Sequence, residues 1–244
     1  MSTVTYLPYK DKIFITANRD ERPSRQESVA PSVKNFPSGK ILYPQNAQTG
    51  GTWVGIHNNG NAMVMIQGAF APHMRKDAYR ASRGLIFLEI FDSDNPVRKF
   101  NEANLNDIEP FTLIVWLKQN GTLWEMRWDE YEKFVTSLPA DMPHMWSSAT
   151  LFDEEMMLRR RKWFDDWRQS QEIITGEGIR WFHEHGGEGF ARLNLNINKG
   201  ATHTLSITGI EISEDRSVMY YHDLKTGEQT INGWLFADEK AEDH

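Results

Sequence analysis

The residues best suited to chemistry lie at the start of the chain, where a serine at position 2 is followed by a polar and charged tetrad. The tetrad consists of Asn18, Arg19, Asp20 and Glu21. When Met1 is removed, which a small side chain at position 2 permits, the free α-amine of Ser2 has a reference pKa of about 7.7 to 8.0 and can act as general base for its own hydroxyl. This arrangement supports acyl transfer. The alternative, which sequence physics alone favours, is an edge strand that begins at residue 2 and ends in a charged loop.

The segments around these residues predict the geometry that brings them together. Residues 3–7 are mostly β-branched, aromatic or aliphatic, residues 8–12 are turn formers, and residues 13–16 resume the β pattern. Two antiparallel strands of similar length place residue 2 beside the outgoing end of the second strand. The predicted hairpin therefore makes Ser2 a neighbour of the tetrad.

Composition predicts one globular domain over residues 1–244, since 39% of the residues are hydrophobic and no linker divides the chain. The net charge of −7 argues against a nucleic-acid partner, because phosphate neutralisation needs a basic face. No segment approaches the length of a membrane span, and the absence of cysteine excludes disulfides and thiolate zinc sites. We expect a cytoplasmic protein without stable membrane insertion, whose oligomeric state the sequence leaves open.

Periodicity predicts strands before and after two helical blocks. Beyond the first hairpin, the predicted strands are residues 52–57, 62–67, 111–117, 123–128, 144–148, 202–212, 217–223 and 229–236, and the predicted helices are residues 79–91, 96–103, a helix capped by Asp153, and residues 171–185. This order predicts an α+β sandwich of two mainly antiparallel sheets with helices outside them. Periodicity by itself does not distinguish an αββα arrangement from other layered α+β folds.

Two segments lack a regular pattern. Residues 22–51 contain four prolines among polar residues, which predicts a long irregular excursion with one short strand at residues 40–43. Because it leaves from the tetrad and returns to a glycine pair, we interpret it as a wall of a pocket, although a surface cover explains it nearly as well. Residues 239–244 are expected to form a frayed acidic tail.

Three segments carry a resemblance to a known family. They are MSTVTYLP at residues 1–8, TANRDER at residues 16–22 and GGTWVGI at residues 50–56. Their order and spacing resemble the NRDE family, also called the transport and Golgi organisation protein 2 family. That family is similar in plan to the N-terminal nucleophile hydrolases of the choloylglycine hydrolase and penicillin V acylase type. The resemblance therefore implies a four-layer αββα sandwich with a nucleophile at the amino terminus.

The chain departs from the family pattern at three positions. Family members usually carry cysteine at the position of Ser2, and a serine hydroxyl depends entirely on a positioned base. Three readings stay open: a working serine nucleophile, a member that has lost catalysis, and an engineered inactive variant. Gln67 and Ser148 stand where asparagine is common, and the resemblance implies that they receive the oxyanion. Gln67 can donate one methylene further out, whereas Ser148 keeps a donor but loses reach.

Three further residues are candidates for substrate binding. Glu21 ends the tetrad, Trp53 follows the glycine pair, and His73 belongs to a basic and aromatic loop at residues 68–78 that could meet an acidic ligand group. Core filling for Trp53 and a solvated loop around His73 are the more usual roles. The eight histidines show no spacing typical of a metal site, so we predict no metal and no cofactor.

Two functions of different classes follow. The first is an N-terminal nucleophile-type amidohydrolase or acyltransferase that acts on a small linear amide or acyl compound. Ser2 is its nucleophile, Asp20 holds the α-amine, and Arg19 or Asn18 orients that amine or binds substrate. The alternative is a non-catalytic carrier of haem or of an acyl-lipid or acyl-CoA in the same pocket, since relatives in the family have been connected with haem trafficking and acyl-lipid metabolism. In both cases the partner is a small molecule.

Overall fold

The chain opens with the predicted hairpin, formed by strand β1 (Thr3–Tyr9) and strand β2 (Lys12–Glu21). The structure is a computed structural model that describes residues 1–21, 28–187, 195, 198–199 and 202–236. β-branched and aromatic side chains along both runs favour the extended backbone. Strand β2 continues through the tetrad, so Arg19 and Asp20 are buried strand residues and are not part of a charged loop.

Two antiparallel sheets contain all the strands of the described residues. The other strands are β3 (Ser28–Phe36), β4 (Gly39–Asn46), β5 (Val54–His57), β6 (Ala62–Gln67), β7 (Phe111–Leu117), β8 (Thr122–Trp128), β9 (Lys133–Leu138), β10 (His144–Ser147), β11 (Asn198–Lys199), β12 (Thr202–Ile212), β13 (Arg216–Asp223) and β14 (Gln229–Leu235). The first sheet has the order β10-β1-β2-β12-β13-β14, with β11 paired to β12. The second sheet runs from β3 to β9 in sequence order. The candidate hairpin therefore lies inside the first sheet, between β10 and β12.

Helices cover the outer faces of both sheets. They are α1 (Arg83–Phe91), α2 (Pro96–Glu102), α3 (Glu154–Ser170) and α4 (Gly176–His185). Phe14 of β2 packs in one apolar cluster with Phe164 of α3 and Phe182 of α4. Phe100 of α2 contacts Phe111 of β7, with ring centroids 6.2 Å apart. A larger core lies between the sheets, and the predicted α+β αββα sandwich is confirmed.

The prediction of an irregular excursion at residues 22–51 is wrong over most of that range. Strands β3 and β4 form a hairpin there, while residues 22–27 lie outside the described residues. Pro31 is tolerated because β3 is an edge strand and its pairing register shifts between Val29 and Ser32. Pro44 lies beyond the short stretch in which β4 pairs with β5. Prolines at a sheet edge and at a bulge therefore gave this pair of strands a sequence pattern that is typical of a loop.

Other boundaries differ by a few residues. Helix α1 begins at Arg83 rather than at residue 79, because the Ser82 side chain caps it by accepting from the Leu85 N–H. Helix α4 begins at Gly176, with Thr175 as its cap. The predicted tail at residues 239–244 lies outside the described residues. Within the part of the chain that the structure describes, no helix is long and apolar enough to cross a membrane.

Gly51 and Gly84 let the loop before β5 approach helix α1 closely. A Cβ at Gly51 would lie 2.5 Å from the Gly84 carbonyl carbon and 2.8 Å from the Leu85 nitrogen. Because those atoms are backbone, Gly51→Ala is expected to destabilise the protein by about 1–3 kcal/mol in urea unfolding. Gly227→Ala is the matched control, since its Cβ would meet nothing within 4 Å and only the φ of +75° is strained. A loss at Gly51 no larger than at Gly227 would contradict the role of the close approach.

Candidate active site

The backbone of Ser2 is held between two strands of the first sheet. Its nitrogen donates to the Asn18 carbonyl at 3.1 Å, and its carbonyl accepts from the Ser148 N–H at 2.7 Å. The residue is fully buried. Its side-chain hydroxyl donates to the carboxylate of Asp20. The predicted neighbourhood of residue 2 and the tetrad is present, and Ser2 has a defined orientation within it.

Asp20 is a buried carboxylate that accepts two hydroxyl hydrogen bonds. One comes from Ser2, and the other comes from Thr204 Oγ1 on strand β12 at 2.6 Å. Burial raises the pKa of Asp20, and this effect is opposed by the two hydrogen bonds and by the charge of Arg160. The Asp20 carboxylate therefore connects the β1–β2 hairpin to strand β12.

The expected contact between the Ser2 nitrogen and Asp20 is not formed in the chain that carries Met1. The hydroxyl contacts Asp20, while the nitrogen is a peptide N–H in the β ladder. Met1 is itself buried, and its carbonyl accepts from the Gln67 N–H at 3.1 Å. Burial, and then the charge of Arg83, lower the pKa of the Met1 amine to about 5. Met1 thus forms an ordered cover over residue 2.

A cleft of about 350 Å³ opens on the other side of this cover. Its walls come from β2, the β4–β5 connection, β6 and the segment that leads into α1. The lining residues are Met1, Arg19, Asp20, Glu21, Asn46, Gln48, Thr49, Gly51, Thr52, Trp53, Met65, Gln67, Arg75, Asp77, Ala78, Tyr79, Ala81, Ser82, Arg83, Gly84 and Glu109. Most of these side chains are polar or charged. Arg19, Asp20, Glu21, Trp53 and Gln67 of the predicted site therefore share one cavity.

Arg19 and Trp53 form one wall of the cleft. The Arg19 guanidinium carbon lies 4.2 Å from the centroid of the Trp53 ring, which is the geometry of a cation–π contact. Burial lowers the pKa of Arg19, while the charge of Glu21 raises it. Trp53 is only 5% exposed and belongs to the core, and it also lines the cleft. Core filling by Trp53 is therefore present, and its position in the cleft wall leaves substrate binding as a prediction.

Asn18 faces the helical layer and does not line the cleft. Its amide nitrogen donates to the carbonyls of His183 and Leu195, each at 3.0 Å, and its amide oxygen lies 2.6 Å from His183 Nδ1. These contacts require Nδ1 to carry the proton, so Nε2 accepts from Thr5 Oγ1 at 2.8 Å. Burial, and then the charge of Arg160, lower the pKa of His183 to about 3. Asn18 thus reaches Ser2 through its backbone carbonyl.

Gln67 and Ser148 lie beside residues 1 and 2 and are hydrogen-bonded to each other. Gln67 lines the cleft, and its backbone N–H binds the Met1 carbonyl. Ser148 Oγ donates to the Gln67 carbonyl at 2.8 Å and contacts Thr150 Oγ1 at the same distance. The hydroxyl of Ser148 is therefore engaged with protein groups, and the cleft lining includes Gln67 but not Ser148.

His73 does not line the cleft, but it contacts Glu109, which does. Its Nε2 is 3.3 Å from Glu109, and the other oxygen of Glu109 is 3.2 Å from Arg83. Glu109 and Arg83 line the cleft, whereas His73 does not. His73 thus supports this wall through Glu109. Among the described residues, no group of three histidine or carboxylate side chains has an arrangement suited to a metal ion.

Sequence reasoning missed three residues that the fold brings to the site. Thr204 had no distinguishing signal, and His183 belongs to no histidine spacing typical of a metal site. Arg160 belongs to the run of four basic residues at 159–162, which a helix spreads round most of its circumference, so the spacing singles out none of them. All three are buried behind Ser2 and the tetrad.

Comparisons with known proteins agree with this architecture. The family model described as Transport and Golgi organisation 2 matches residues 4–176. Two solved structures of variants of the conjugated bile acid hydrolase from Clostridium perfringens have a similar fold. One shares 11% identity over 99% of both chains with a TM-score of 0.55, and the other shares 10% over 97% of both chains with a TM-score of 0.54. No curated protein sequence matches the chain significantly. The fold is that of the N-terminal nucleophile hydrolases.

Proposed function

The chain belongs to the Transport and Golgi organisation 2 family, and from that premise we propose that it is an N-terminal nucleophile-type amidohydrolase or acyltransferase for small acyl compounds. Ser2 is the nucleophile once Met1 has been removed. The observation that carries the proposal is the hydrogen bond from the Ser2 hydroxyl to the buried carboxylate of Asp20, directly beneath the cleft. The hydrogen bond fixes the direction of the Ser2 hydroxyl, and its partner Asp20 lines the cleft.

The α-amine of Ser2 is the general base in this proposal. The surroundings of Met1 indicate its properties, because burial and the charges of Arg83 and Arg19 lower the Met1 amine pKa while Glu21 and Asp20 raise it. A neutral α-amine at this position can accept the hydroxyl proton. The hydroxyl has a single proton, so in this proposal it turns from Asp20 towards the amine for the transfer, and the Asp20 carboxylate then stabilises the ammonium that forms.

The position of the Met1 carbonyl indicates where we propose that the oxyanion forms. In the chain that carries Met1, this carbonyl is bonded to the Ser2 nitrogen and accepts from the Gln67 N–H at 3.1 Å. Removal of Met1 leaves that N–H free beside the nucleophile. We assign the backbone N–H of Gln67 as an oxyanion donor, with its side-chain amide as the second candidate. The Ser148 hydroxyl is a weaker candidate for an oxyanion donor, because it already donates to the Gln67 carbonyl.

The cleft supports a small and polar substrate. Its volume of about 350 Å³ is at the lower end of ligand pockets. The cleft lining contains three arginines and two glutamates, which are Arg19, Arg75, Arg83, Glu21 and Glu109. The substrate must therefore offer hydrogen-bonding groups on more than one side. A short acyl amide or ester with polar substituents satisfies this requirement better than a long alkyl chain.

The carrier alternative has less support in this geometry. Haem or an acyl-lipid needs a predominantly apolar pocket, whereas most of the cleft lining is polar. Both ring nitrogens of His183 are hydrogen-bonded in the interior, so this residue is not available as an axial ligand. His73 is paired with Glu109 outside the cleft lining.

The test uses purified protein that begins at Ser2. A panel of short acyl nitroanilides and nitrophenyl esters is expected to give an acyl-enzyme burst followed by turnover, and Ser2→Ala is expected to abolish both. Intact mass detects the added acyl group, and fragmentation of the N-terminal peptide locates it on the first residue. Absence of burst and turnover across the panel contradicts the proposal for those substrates. Saturable binding of haem or palmitoyl-CoA without turnover would instead favour the carrier.

A further inference from the structure

Helix α3 places one positive charge in the interior of the protein. Arg160 is fully buried, although the basic residues on either side of it are exposed. Its Nη2 donates to Thr3 Oγ1 at 2.5 Å, and its guanidinium carbon lies 3.9 Å from the centroid of the Phe152 ring. Thr3 directly follows Ser2, so the Arg160 guanidinium contacts the residue next in sequence to the candidate nucleophile.

This burial is unfavourable for an arginine that only fills space. Nε and Nη1 of Arg160 are buried without a hydrogen-bond partner among the described residues. Within the same part of the chain, no carboxylate lies within ion-pair distance of the guanidinium. A buried charge that lacks a direct partner carries a desolvation cost, which an apolar side chain of similar size would avoid. The charge itself therefore needs an explanation.

The carboxylate that responds to this charge is Asp20. Burial lowers the pKa of Arg160 to about 10, and Asp20 acts in the opposite direction. In return, Arg160 lowers the pKa of Asp20 against the larger effect of burial. The hydrogen bonds from Ser2 and Thr204 act on Asp20 in the same direction as Arg160. The three groups together oppose the desolvation of the Asp20 carboxylate, and burial remains the larger effect.

We propose that Arg160 is a positioning residue of the Ser2 site: its charge favours the ionised form of the buried Asp20 carboxylate, the form that accepts the hydroxyl of residue 2. An ionised carboxylate has no proton to donate, so the Ser2 and Thr204 hydroxyls both donate to it. A protonated Asp20 would donate at one oxygen and redirect a hydroxyl. The catalytic meaning of this inference rests on the proposed function, but the ionisation of Asp20 is a property of the folded protein alone.

The other charges around Asp20 come from different elements. The amino terminus also lowers the pKa of Asp20. Glu21 and Arg19 from β2 and Arg83 from α1 act on that terminus. His183 from α4 has its pKa lowered to about 3 and is neutral at physiological pH. Arg160 is therefore the cation that acts on Asp20 from the helical layer of the described residues.

The experiment titrates the Asp20 carboxyl directly. Full-length protein is labelled with [4-¹³C]aspartate, and the Asp20 resonance is assigned by its absence in Asp20→Asn. Arg160→Met is expected to raise the Asp20 pKa by about 1–3 units. Arg160→Lys, which keeps a cation, is expected to restore most of the shift. Arg161→Met is the matched control, because that neighbouring arginine is exposed and its removal should leave Asp20 unchanged.

A merely structural arginine gives a different result. An Asp20 pKa that stays at the wild-type value in Arg160→Met, with only a lowered melting temperature, overturns the proposal. If Arg160→Met does not fold, Arg160→Gln keeps N–H donors without the charge, and an unshifted Asp20 there overturns it equally. The titration needs no substrate, so its failure is distinct from an absence of turnover. When turnover is found, the acidic limb of the pH–rate profile is expected to move up with the Asp20 pKa.

Discussion

A chain that retains Met1 is expected to turn over acyl substrates about 10²–10⁴-fold more slowly than a chain that begins at Ser2. In the retained form the Ser2 nitrogen is a peptide N–H that donates to the Asn18 carbonyl, so it has no lone pair available as a base. The Met1 carbonyl also occupies the Gln67 N–H, which is the proposed oxyanion donor. Met1 therefore removes the base and the oxyanion donor together, and Ser2 stays fully buried beneath it.

The measurement compares two proteins released from fusions by proteolysis in vitro, one starting at Met1 and the other at Ser2. Intact mass confirms each start, and turnover is measured on the same acyl ester or amide. The Ser2→Ala protein without Met1 is the control, since it keeps the free amine and loses the nucleophile. Equal turnover by the two forms would show that the α-amine is not the base.

Acidification is expected to remove a large part of the folding free energy through His183. Burial lowers the pKa of this histidine to about 3 from its ordinary value of 6.5. A group with a depressed pKa binds fewer protons when folded, so its contribution is fully present above pH 6.5 and is lost as the pH falls towards 3. A shift of that size corresponds to about 5 kcal/mol at the acidic end, which is comparable with the whole stability of many domains.

Two neighbouring groups change the shape of this pH dependence. The Met1 amine, with its pKa lowered from 8.0 to about 5, contributes stability that is lost between those values in the chain that retains it. Asp20 acts in the opposite sense, because a raised carboxyl pKa gives stability that is lost as the pH rises through it. As the pH falls, the free energy of unfolding therefore loses the contributions of His183 and the Met1 amine and gains the contribution of Asp20.

His183→Gln isolates the histidine contribution. Glutamine keeps hydrogen-bonding groups near Asn18 and Thr5 but does not titrate. Urea unfolding of both proteins between pH 4 and pH 8 gives the difference in free energy at each pH. We expect the wild-type advantage to shrink as the pH falls below 6.5, by about 1.4 kcal/mol for each pH unit well below that value. A difference that stays constant with pH would show that His183 is not held neutral in the interior.

Short-range patterns predicted much of this fold. The first hairpin followed from two β-rich runs around a turn, and helix α2 begins at Pro96 as predicted. Asp153 caps α3 as its sequence context indicated, by accepting from the Met156 N–H. Such features depend on residues within a few positions of each other. The hairpin at residues 28–46 was missed for the converse reason, since its prolines are acceptable only at an edge and a bulge that the complete sheet creates.

The sequence by itself determined that Ser2 lies beside Asn18, Arg19 and Asp20, because a hairpin with a short turn has little freedom of register. Only the tertiary structure decided which groups surround that pair. Thr204 reaches Asp20 because β12 pairs with β2, and Arg160 reaches Thr3 because α3 packs against the same sheet. These contacts join residues more than one hundred positions apart, so they depend on strand order and layer packing, about which local periodicity contains no information.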